Sequence, residues 1–183
     1  LTGFEGLTKR GTGTLNMNGP GTSTLDEVEV QGGTLNVAAG AAIDGVVTTA
    51  VTSGATLTIA GAYNGSAGND TFTVAGTVNG TGTVNLGAGD DVLTLQDGAA
   101  VDIAIDAGGA TTGDRVVLDN AAALTFDGTN VTGFESLDKQ NTGTATLAGT
   151  HSYDSVAING GVLDVNGTLN TGAMTLTDGT TLN

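Results

Sequence analysis

The sequence predicts an all-β chain wound into a right-handed parallel β-helix, a solenoid of about eight to nine turns. Three observations support this fold class: a duplicated segment, short apolar runs at a regular interval, and a composition rich in glycine but almost free of proline. The duplicated segment reads LTGFEGLTKRGTGTLNMNG at Leu1 to Gly19 and returns as VTGFESLDKQNTGTATLAG at Val131 to Gly149. Such internal repeats are typical of chains that stack similar units along one axis.

The first strand of each turn is predicted from the apolar runs. One apolar residue taken from each run gives a series whose members lie 18 to 23 residues apart, an interval typical of solenoids built from extended chain. Apolar and polar residues alternate around each member, as in a strand with one buried face. The series is Leu7, Val30, Val51, Val74, Leu95, Leu118, Leu137, Ile158 and Leu176.

The middle turns align residue by residue. Asp70, Asp91 and Asp114 share one position in this alignment, and two residues later Phe72, Leu93 and Val116 share another. A second strand follows in most turns, so the predicted turn is strand, corner, strand, corner. The segments assigned to second strands are 32–37, 54–59 and 160–165, with Val101 and Ile103, and Leu124 and Phe126, at the matching places.

Composition agrees with a strand-rich solenoid. The 183 residues include 32 glycines, one proline, no cysteine and no tryptophan, and 38% are hydrophobic. Glycine, Asn and Asp gather between the predicted strands, where tight corners need unusual backbone angles. A hydrophobic fraction of this size can fill a narrow column between strands.

The charge balance limits the partners. Nineteen acidic residues face four basic ones, for a formal net charge of −15. A surface of this kind repels phosphate backbones and anionic membranes, so nucleic-acid binding and membrane docking are not expected, whereas cations are attractive partners. No run of about 18 apolar residues is present to insert into a bilayer, and no signal-peptide pattern is seen.

We expect residues 1–183 to form a single β-helix segment of a longer protein. The specific repeat copies occupy residues 1–45 and 131–175, and the turns over 46–130 are less specific. The pattern begins and stops without a recognisable cap, and uncapped strand edges favour pairing with other chains. Self-association is therefore expected of the isolated segment.

The repeat copies carry a family resemblance. Residues 137–165, beginning LDKQNTGTATLAG, resemble the passenger-associated repeat of bacterial autotransporters and related large surface adhesins, and residues 7–37 resemble it equally well. The resemblance implies a right-handed parallel β-helical passenger, exported through a C-terminal membrane domain to the surface of a Gram-negative cell. It also implies adhesion to a protein or glycan on a host or neighbouring cell. The lack of cysteine fits such export, because disulfides formed in the periplasm would hinder it.

A second motif raises the question of a metal. Residues 65–73 and 86–94 resemble the calcium-binding nonapeptide G-G-x-G-x-D-x-U-x, although each lacks one of the first two glycines. Stacking would bring the acids of neighbouring turns within about 4.8 Å of each other, and carboxylate oxygens are calcium ligands. The candidate metal-binding residues are Asp70, Asp90, Asp91 and Asp114.

The same acids have a simpler interpretation. Asp and Asn are common at corners because their side chains accept hydrogen bonds from the local backbone, and this role needs no metal. The turn interpretation is the favoured one, and no cofactor is required; calcium is kept as the alternative.

Catalytic candidates are few. His151 lies near Ser152 and Asp154, but neighbours along one corner rarely converge as a triad, so a surface corner histidine is expected. Arg115 would lie near Asp91 and Asp114 in the stacked arrangement, where a neutralising surface pair is the favoured role.

Four further residue types were assigned by pattern. The repeated phenylalanines Phe4 and Phe134 are predicted to pack at a turn entrance, and Tyr63 and Tyr153 to lie at corners as contact residues. The repeated Glu and Lys are expected as an exposed pair on one face. These residues are Glu5, Glu135, Lys9 and Lys139.

Two functional classes remain open at this point. The first is a structural and adhesive segment that is not an enzyme; the second is a β-helical carbohydrate-active enzyme, either a polysaccharide lyase or a hydrolase. The uniform turns favour the first class, because they lack the long insertions that usually build a cleft on a scaffold. A calcium-stabilised structural repeat is a further alternative.

Overall fold

The chain forms a parallel β-solenoid of about eight turns, which confirms the predicted fold class. A computed structural model describes residues 4–183; the start of the first repeat copy, residues 1–3, lies outside the described range. Within that range all regular structure is strand, and no helix is present that could cross a membrane. All the strand pairings are parallel.

Each turn contributes three strands instead of the two that the sequence predicts. The third strands were missed because they are short, contain glycine and small polar residues, or continue a second strand through a bend. The three strand positions of a turn define three faces of the solenoid, called faces one, two and three in chain order.

Face one is a continuous sheet of nine strands. Its strands are β1 (Gly6–Lys9), β4 (Glu27–Val30), β7 (Thr48–Val51), β10 (Thr71–Val74), β12 (Val92–Gln96), β14 (Arg115–Asp119), β17 (Ser136–Gln140), and the second halves of β19 (Thr150–Ile158) and β21 (Thr168–Leu176).

Face two is divided into two parts. The first part contains β2 (Thr14–Met17), β5 (Thr34–Val37), β8 (Thr56–Ile59) and the first halves of β11 (Thr77–Asn85) and β13 (Ala100–Asp106). The second part contains β15 (Leu124–Asp127), β18 (Thr144–Ala148), β20 (Val162–Val165) and β22 (Thr181–Leu182).

Face three is also interrupted. It contains β3 (Gly21–Thr24), β6 (Ala41–Val46), β9 (Ala62–Gly65), the second halves of β11 and β13, and β16 (Val131–Thr132). Further along the axis it resumes with the first halves of β19 and β21.

The core is one apolar column along the axis. Inward residues of successive turns lie over one another, so a single buried cluster extends from Leu25 to Leu163. The end turns are less covered: Phe4 is 59% exposed and Leu176 is 50% exposed, whereas Phe134, the equivalent of Phe4 in the second repeat copy, is buried. The predicted packing role therefore holds for Phe134 and is wrong for Phe4.

The predicted series of inward residues is right at seven of its nine positions. At the other two, Leu7 and Leu137, the residue in this column stands two places later in the sequence. Strand register pairs Lys9 with Val30, and Lys139 with both Leu118 and Ile158, so the two lysines occupy the inward column. Leu7 and Leu137 belong to the neighbouring inward column instead. The prediction that both lysines are exposed is wrong, because Lys139 has no exposed surface and Lys9 only 7%.

The buried lysines bind main-chain carbonyls at a corner. The Nζ of Lys9 donates hydrogen bonds to the carbonyl oxygens of Arg10 (2.7 Å), Gly11 (2.9 Å) and Gly32 (2.8 Å). Lys139 repeats this pattern 130 residues later, with the carbonyls of Gln140, Asn141 and Gly160 as its three acceptors. The third acceptor in each set belongs to the next turn, so the ammonium group links two turns.

Backbone geometry explains why the carbonyl oxygens at this corner are available to accept hydrogen bonds from the lysine. Gly11 and Asn141, at equivalent positions, both adopt left-handed angles, with φ of 71° and 58°. Asn tolerates this region better than other residues that carry a Cβ. On the next turn, Gly33 and Gly161 also have positive φ, and a Cβ on either would meet the carbonyl of Gly13 or Gly143. The pattern K-x-[GN]-x-G with G-G one turn later therefore specifies a closed, lysine-filled corner.

We predict that Lys139→Met lowers the free energy of unfolding by about 2 kcal/mol or more, because three carbonyls lose a charged donor while the apolar stem is kept. The measurement is urea denaturation at pH 7. Arg10→Met is the matched control, since it removes an exposed cation beside the equivalent corner and should change stability little. Equal losses in the two variants would contradict the assigned role.

Candidate functional site

Four acidic residues lie in one column at the corner between faces three and one. This acidic corner is defined by Asp70, Asp91, Asp114 and Glu135, each of which directly precedes a strand of face one. The register of β10, β12, β14 and β17 places the four residues in one column, one per turn. The predicted alignment of the three aspartates is thus confirmed.

The four carboxylates form a ladder of hydrogen bonds with the backbone. The N–H of Asp70 donates to Oδ1 of Asp91 (2.8 Å), and the N–H of Asp91 donates to Oδ1 of Asp114 (2.6 Å). The N–H of Asp114 in turn donates to Oε2 of Glu135 (2.6 Å). At the start of the ladder, Ser66 donates its N–H and its hydroxyl to the carboxylate of Asp70. Each carboxylate from Asp91 onward therefore ties its own turn to the preceding one.

Asp90 belongs to a second, exposed set of contacts. Its carboxylate accepts hydrogen bonds from the N–H groups of Thr111 (2.9 Å), Thr112 (2.6 Å) and Gly113 (3.2 Å), and from the Thr112 hydroxyl (2.7 Å). Its own N–H donates to the side-chain oxygen of Asn69. These hydrogen bonds, led by the one from the Thr112 N–H, lower the pKa of Asp90 to about 2.

Burial shifts the pKa values of the inner acids Asp91 and Asp114 in the opposite direction, upward. Asp70, Asp91 and Asp114 are at most 2% exposed. Desolvation raises the pKa of Asp91 to about 6, with a smaller contribution in the same direction from the charges of Asp70, Asp114 and Asp90. Burial also raises the pKa of Asp114, assisted by the charge of Glu135.

The donors to these acids differ from those of the turn interpretation: only Asp70 accepts from its own corner, at Ser66, whereas Asp90, Asp91 and Asp114 accept from an adjacent turn. Asp70, Asp90, Asp91 and Asp114 all accept hydrogen bonds from main-chain N–H groups, which is the role that needs no metal. Across residues 4–183, no three His, Cys, Asp or Glu side chains are grouped so as to hold a metal ion. Calcium binding stays a prediction.

Glu135 is the ladder residue that sequence reasoning missed. It was assigned to an exposed Glu–Lys pair, but it is half-buried and accepts the Asp114 N–H, while Lys139 is fully buried. The signal that could have found it is its place before Ser136 and Leu137, which aligns it with Asp114 before Arg115 and Val116. Glu5, its counterpart in the first copy, is exposed.

His151 is a buried residue and not a surface corner residue. It lies on the face-three half of β19, is 2% exposed, and packs edge-on against Phe126 at 5.1 Å between ring centroids. Its Nε2 donates to the Ala148 carbonyl (2.8 Å), so its Nδ1 accepts from the Tyr153 hydroxyl (3.3 Å). Burial lowers the pKa of His151. Ser152 and Asp154 point away from this interior as exposed residues, and no triad forms.

The two tyrosines predicted as corner contact residues are buried as well. Tyr63 is 1% exposed and Tyr153 is 8% exposed. The hydroxyl of Tyr63 is 2.7 Å from Oγ1 of Thr49, a buried polar residue of the inward column, and its ring meets Phe72 edge-on. Tyr63 thus fills a gap that the small Thr49 leaves in the core. The pKa of each tyrosine is raised by burial.

Arg115 does not join the acidic corner. Its guanidinium lies 3.5 Å from the carboxylate of Asp138 on the outside of face one. The expected surface pair is present, but its partner is Asp138 and not the ladder acids. An exposed pair of this kind contributes little to stability.

A concavity of about 420 Å³ lies at the first turns. Apolar, small and amide side chains line it, including Leu15, Met17, Pro20 and Ala41, and no titratable residue is among them. Its hydroxyl-bearing residues, Thr22 and Ser23, have no His, Asp, Glu or Lys beside them in the lining to act as a general base.

The fold defines the protein as a parallel β-solenoid with an acidic, backbone-bonded corner. No protein-family model, no curated protein and no solved structure matches the chain. The resemblance to autotransporter passengers therefore stays an expectation from the repeat copies.

We predict that Asp90→Ala destabilises the chain more than Asp90→Asn, because alanine leaves three N–H groups and a hydroxyl without their acceptor whereas asparagine keeps one oxygen. Since the pKa of Asp90 is lowered, the stability that it contributes is present above about pH 4 and is lost as the pH falls toward 2. Thermal unfolding at pH 7 and at pH 2.5 measures both effects. Neither variant titrates at position 90, so their order should be the same at both pH values, whereas the loss of each relative to the parent chain should shrink at pH 2.5. An undiminished loss at pH 2.5 would mean that the charge of Asp90 is not its basis.

A second prediction concerns His151. Because its pKa is lowered by burial, the folded state favours the neutral ring, so stability is full above about pH 6.5 and is lost as the pH falls below that value. His151→Gln should keep a donor for the Ala148 carbonyl and remove this loss. The check compares the change in melting temperature between pH 7.5 and 5.0 in the two proteins. A larger acid loss in the variant than in the parent chain would contradict the buried neutral histidine.

Proposed function

We propose that this chain is a structural and adhesive segment of a secreted or surface-displayed protein of the autotransporter type. It mediates contact with a protein or glycan on a host cell or a neighbouring cell, outside a Gram-negative bacterium. The observation that supports this best is the role of its acids. Asp91, Asp114 and Glu135 accept main-chain hydrogen bonds that join one turn to the next, whereas an enzyme would gather such carboxylates in a cleft.

The shape of the segment suits a stalk or display rod. About eight turns at a rise of about 4.8 Å give a length of about 40 Å for this segment alone. The inward column is shared by all the turns, so further turns of the same kind would extend the rod without a new core.

The surface suits many weak contacts. The outer positions of face one carry mostly Thr, Ser, Asp and Glu, with two valines and three alanines among them, and the formal net charge is −15. A long acidic, hydroxyl-rich surface favours basic or hydroxyl-bearing partners and disfavours phosphate. Contacts of this kind gain strength from multivalency and not from one pocket.

The prediction is that beads coated with many copies of the chain adhere to cells or to glycan-coated surfaces, whereas a single copy binds weakly. Multivalency can strengthen binding by about 10²- to 10⁴-fold without new contacts. The measurement is bead retention under flow, and raising the salt concentration should reduce it if acidic groups make the contacts. Beads coated with an unrelated protein of similar charge are the control.

Two results would overturn the proposal. One is retention no greater than that of the control beads on every surface tried. The other is turnover of a polysaccharide, seen as new reducing ends or unsaturated sugars, that is lost in a folded Asp91→Asn or Asp114→Asn variant. The second result would make the chain a carbohydrate-active enzyme.

A further inference from the structure

Two carboxylate oxygens in the acidic corner are buried without any hydrogen-bond partner. They are Oδ2 of Asp91 and Oδ2 of Asp114, and their residues are 1% and 0% exposed. The other oxygen of each residue accepts an N–H from the preceding turn, so the unpartnered oxygens are fixed in place. An unpartnered buried acceptor is costly, and a buried charge without a counter-ion is more costly still.

The surroundings supply no counter-charge. The charged groups that act on this pair are all acidic: Asp70 and Asp90 at the same corner, Asp106 at the end of β13, and Glu135 at the next rung. Ser66 and the main-chain N–H groups are the other polar neighbours. The base nearest in sequence, Arg115, lies beside Asp138 on the outer side of face one.

We propose that Asp91 and Asp114 form a proton-binding site that takes up one proton from solvent as the pH falls from neutral, and that this uptake stabilises the central turns. The proton from solvent adds to an Oδ2 atom and converts that carboxylate into a neutral carboxylic acid. One of two stacked negative charges is removed, while the Oδ1 contacts of the ladder are kept.

The direction of the pH effect follows from the raised pKa values of both acids. The folded state binds the proton more tightly than the unfolded chain, whose Asp groups titrate near pH 4. The stabilisation is therefore full below about pH 4 and is lost as the pH rises through about 6. This sign is opposite to that of His151, so the two groups must be measured separately.

The response should be local. The ladder joins the turns of β10, β12, β14 and β17, whereas β1, β4 and β7 have no rung of this kind. Amide hydrogen exchange in the central turns should slow as the pH falls from 7.5 to 5, after correction for the pH dependence of intrinsic exchange. Amides of β4 and β5 should not follow this change.

The test uses the whole chain and two charge-removing variants. Asp91→Asn keeps the Oδ1 acceptor and removes the buried charge; Asp102→Asn, on the exposed side of β13, removes the same charge from the surface. Carboxyl carbon shifts from NMR, assigned by comparison with the variant, give the midpoint of Asp91 directly. Thermal unfolding from pH 4 to 7.5 is measured in the parent chain and in both variants, each also in the His151→Gln background.

The expected result is a midpoint near pH 6 for Asp91, and an unfolding equilibrium constant that rises on the order of 10- to 100-fold between pH 4.5 and 7.5 in the His151→Gln background. Asp91→Asn should flatten this dependence and Asp102→Asn should not. Because the NMR midpoint is read on the parent chain, the test does not depend on the stability of the variant.

Two outcomes would overturn the proposal. The first is an Asp91 midpoint below pH 4.5, with the same pH slope in both variants. The second is a calcium-dependent rise in melting temperature at pH 7 that disappears in Asp91→Asn, which would make the unpartnered oxygens cation ligands. Neither outcome depends on adhesion, so this proposal and the adhesive role stand or fall separately.

Discussion

In-register parallel stacking is the constraint on which the rest of this molecule depends. Each residue of a turn lies directly over its equivalent in the preceding turn, at the spacing of adjacent strands. A residue type repeated at one position therefore becomes a column along the axis. When the type is apolar, the column is the core; when it is acidic, like charges are stacked and the backbone must satisfy them. Both outcomes occur here within a few residues of each other.

The protein satisfies buried polar groups with the main chain and not with opposite charges. Lys139 is held by three carbonyl oxygens, and the carboxylate of Asp114 by the N–H of Asp91. Only one ion pair, between Arg115 and Asp138, is found among the described residues. Corners make this possible, because they leave carbonyl and N–H groups outside the sheet ladders. The buried lysines thus bind carbonyl oxygens that the sheet ladders leave free, and the acidic ladder binds N–H groups that they leave free.

Periodicity was enough to predict the fold class and most of the inward column. It failed where a polar residue occupies an inward position, since Lys9 and Lys139 carry no apolar signal and Leu7 and Leu137 stand two residues away. The buried His151 and Tyr63 were misplaced for the same reason. At the acidic corner, alignment brought Asp70, Asp91 and Asp114 together correctly, but it could not show which donors fill their oxygens. That depends on the path of the loops at residues 65–69 and 108–113, which no periodic pattern encodes.

Two carboxylate oxygens of the ladder lack hydrogen-bond donors, and this determines how its acids respond to protons. Ser66 supplies donors to both oxygens of Asp70 at the first rung, while Glu135 at the last rung is only half-buried. At the two middle rungs, Asp91 and Asp114 have neither a second hydrogen-bond donor nor access to solvent. The free-energy cost of a buried charge is therefore highest at these two residues. A second N–H donor at each, placed on the free Oδ2 atom, would favour the ionised form and lower the pKa of both acids. We infer that its absence makes the stability of the central turns fall as the pH rises, a dependence opposite in sign to that of His151.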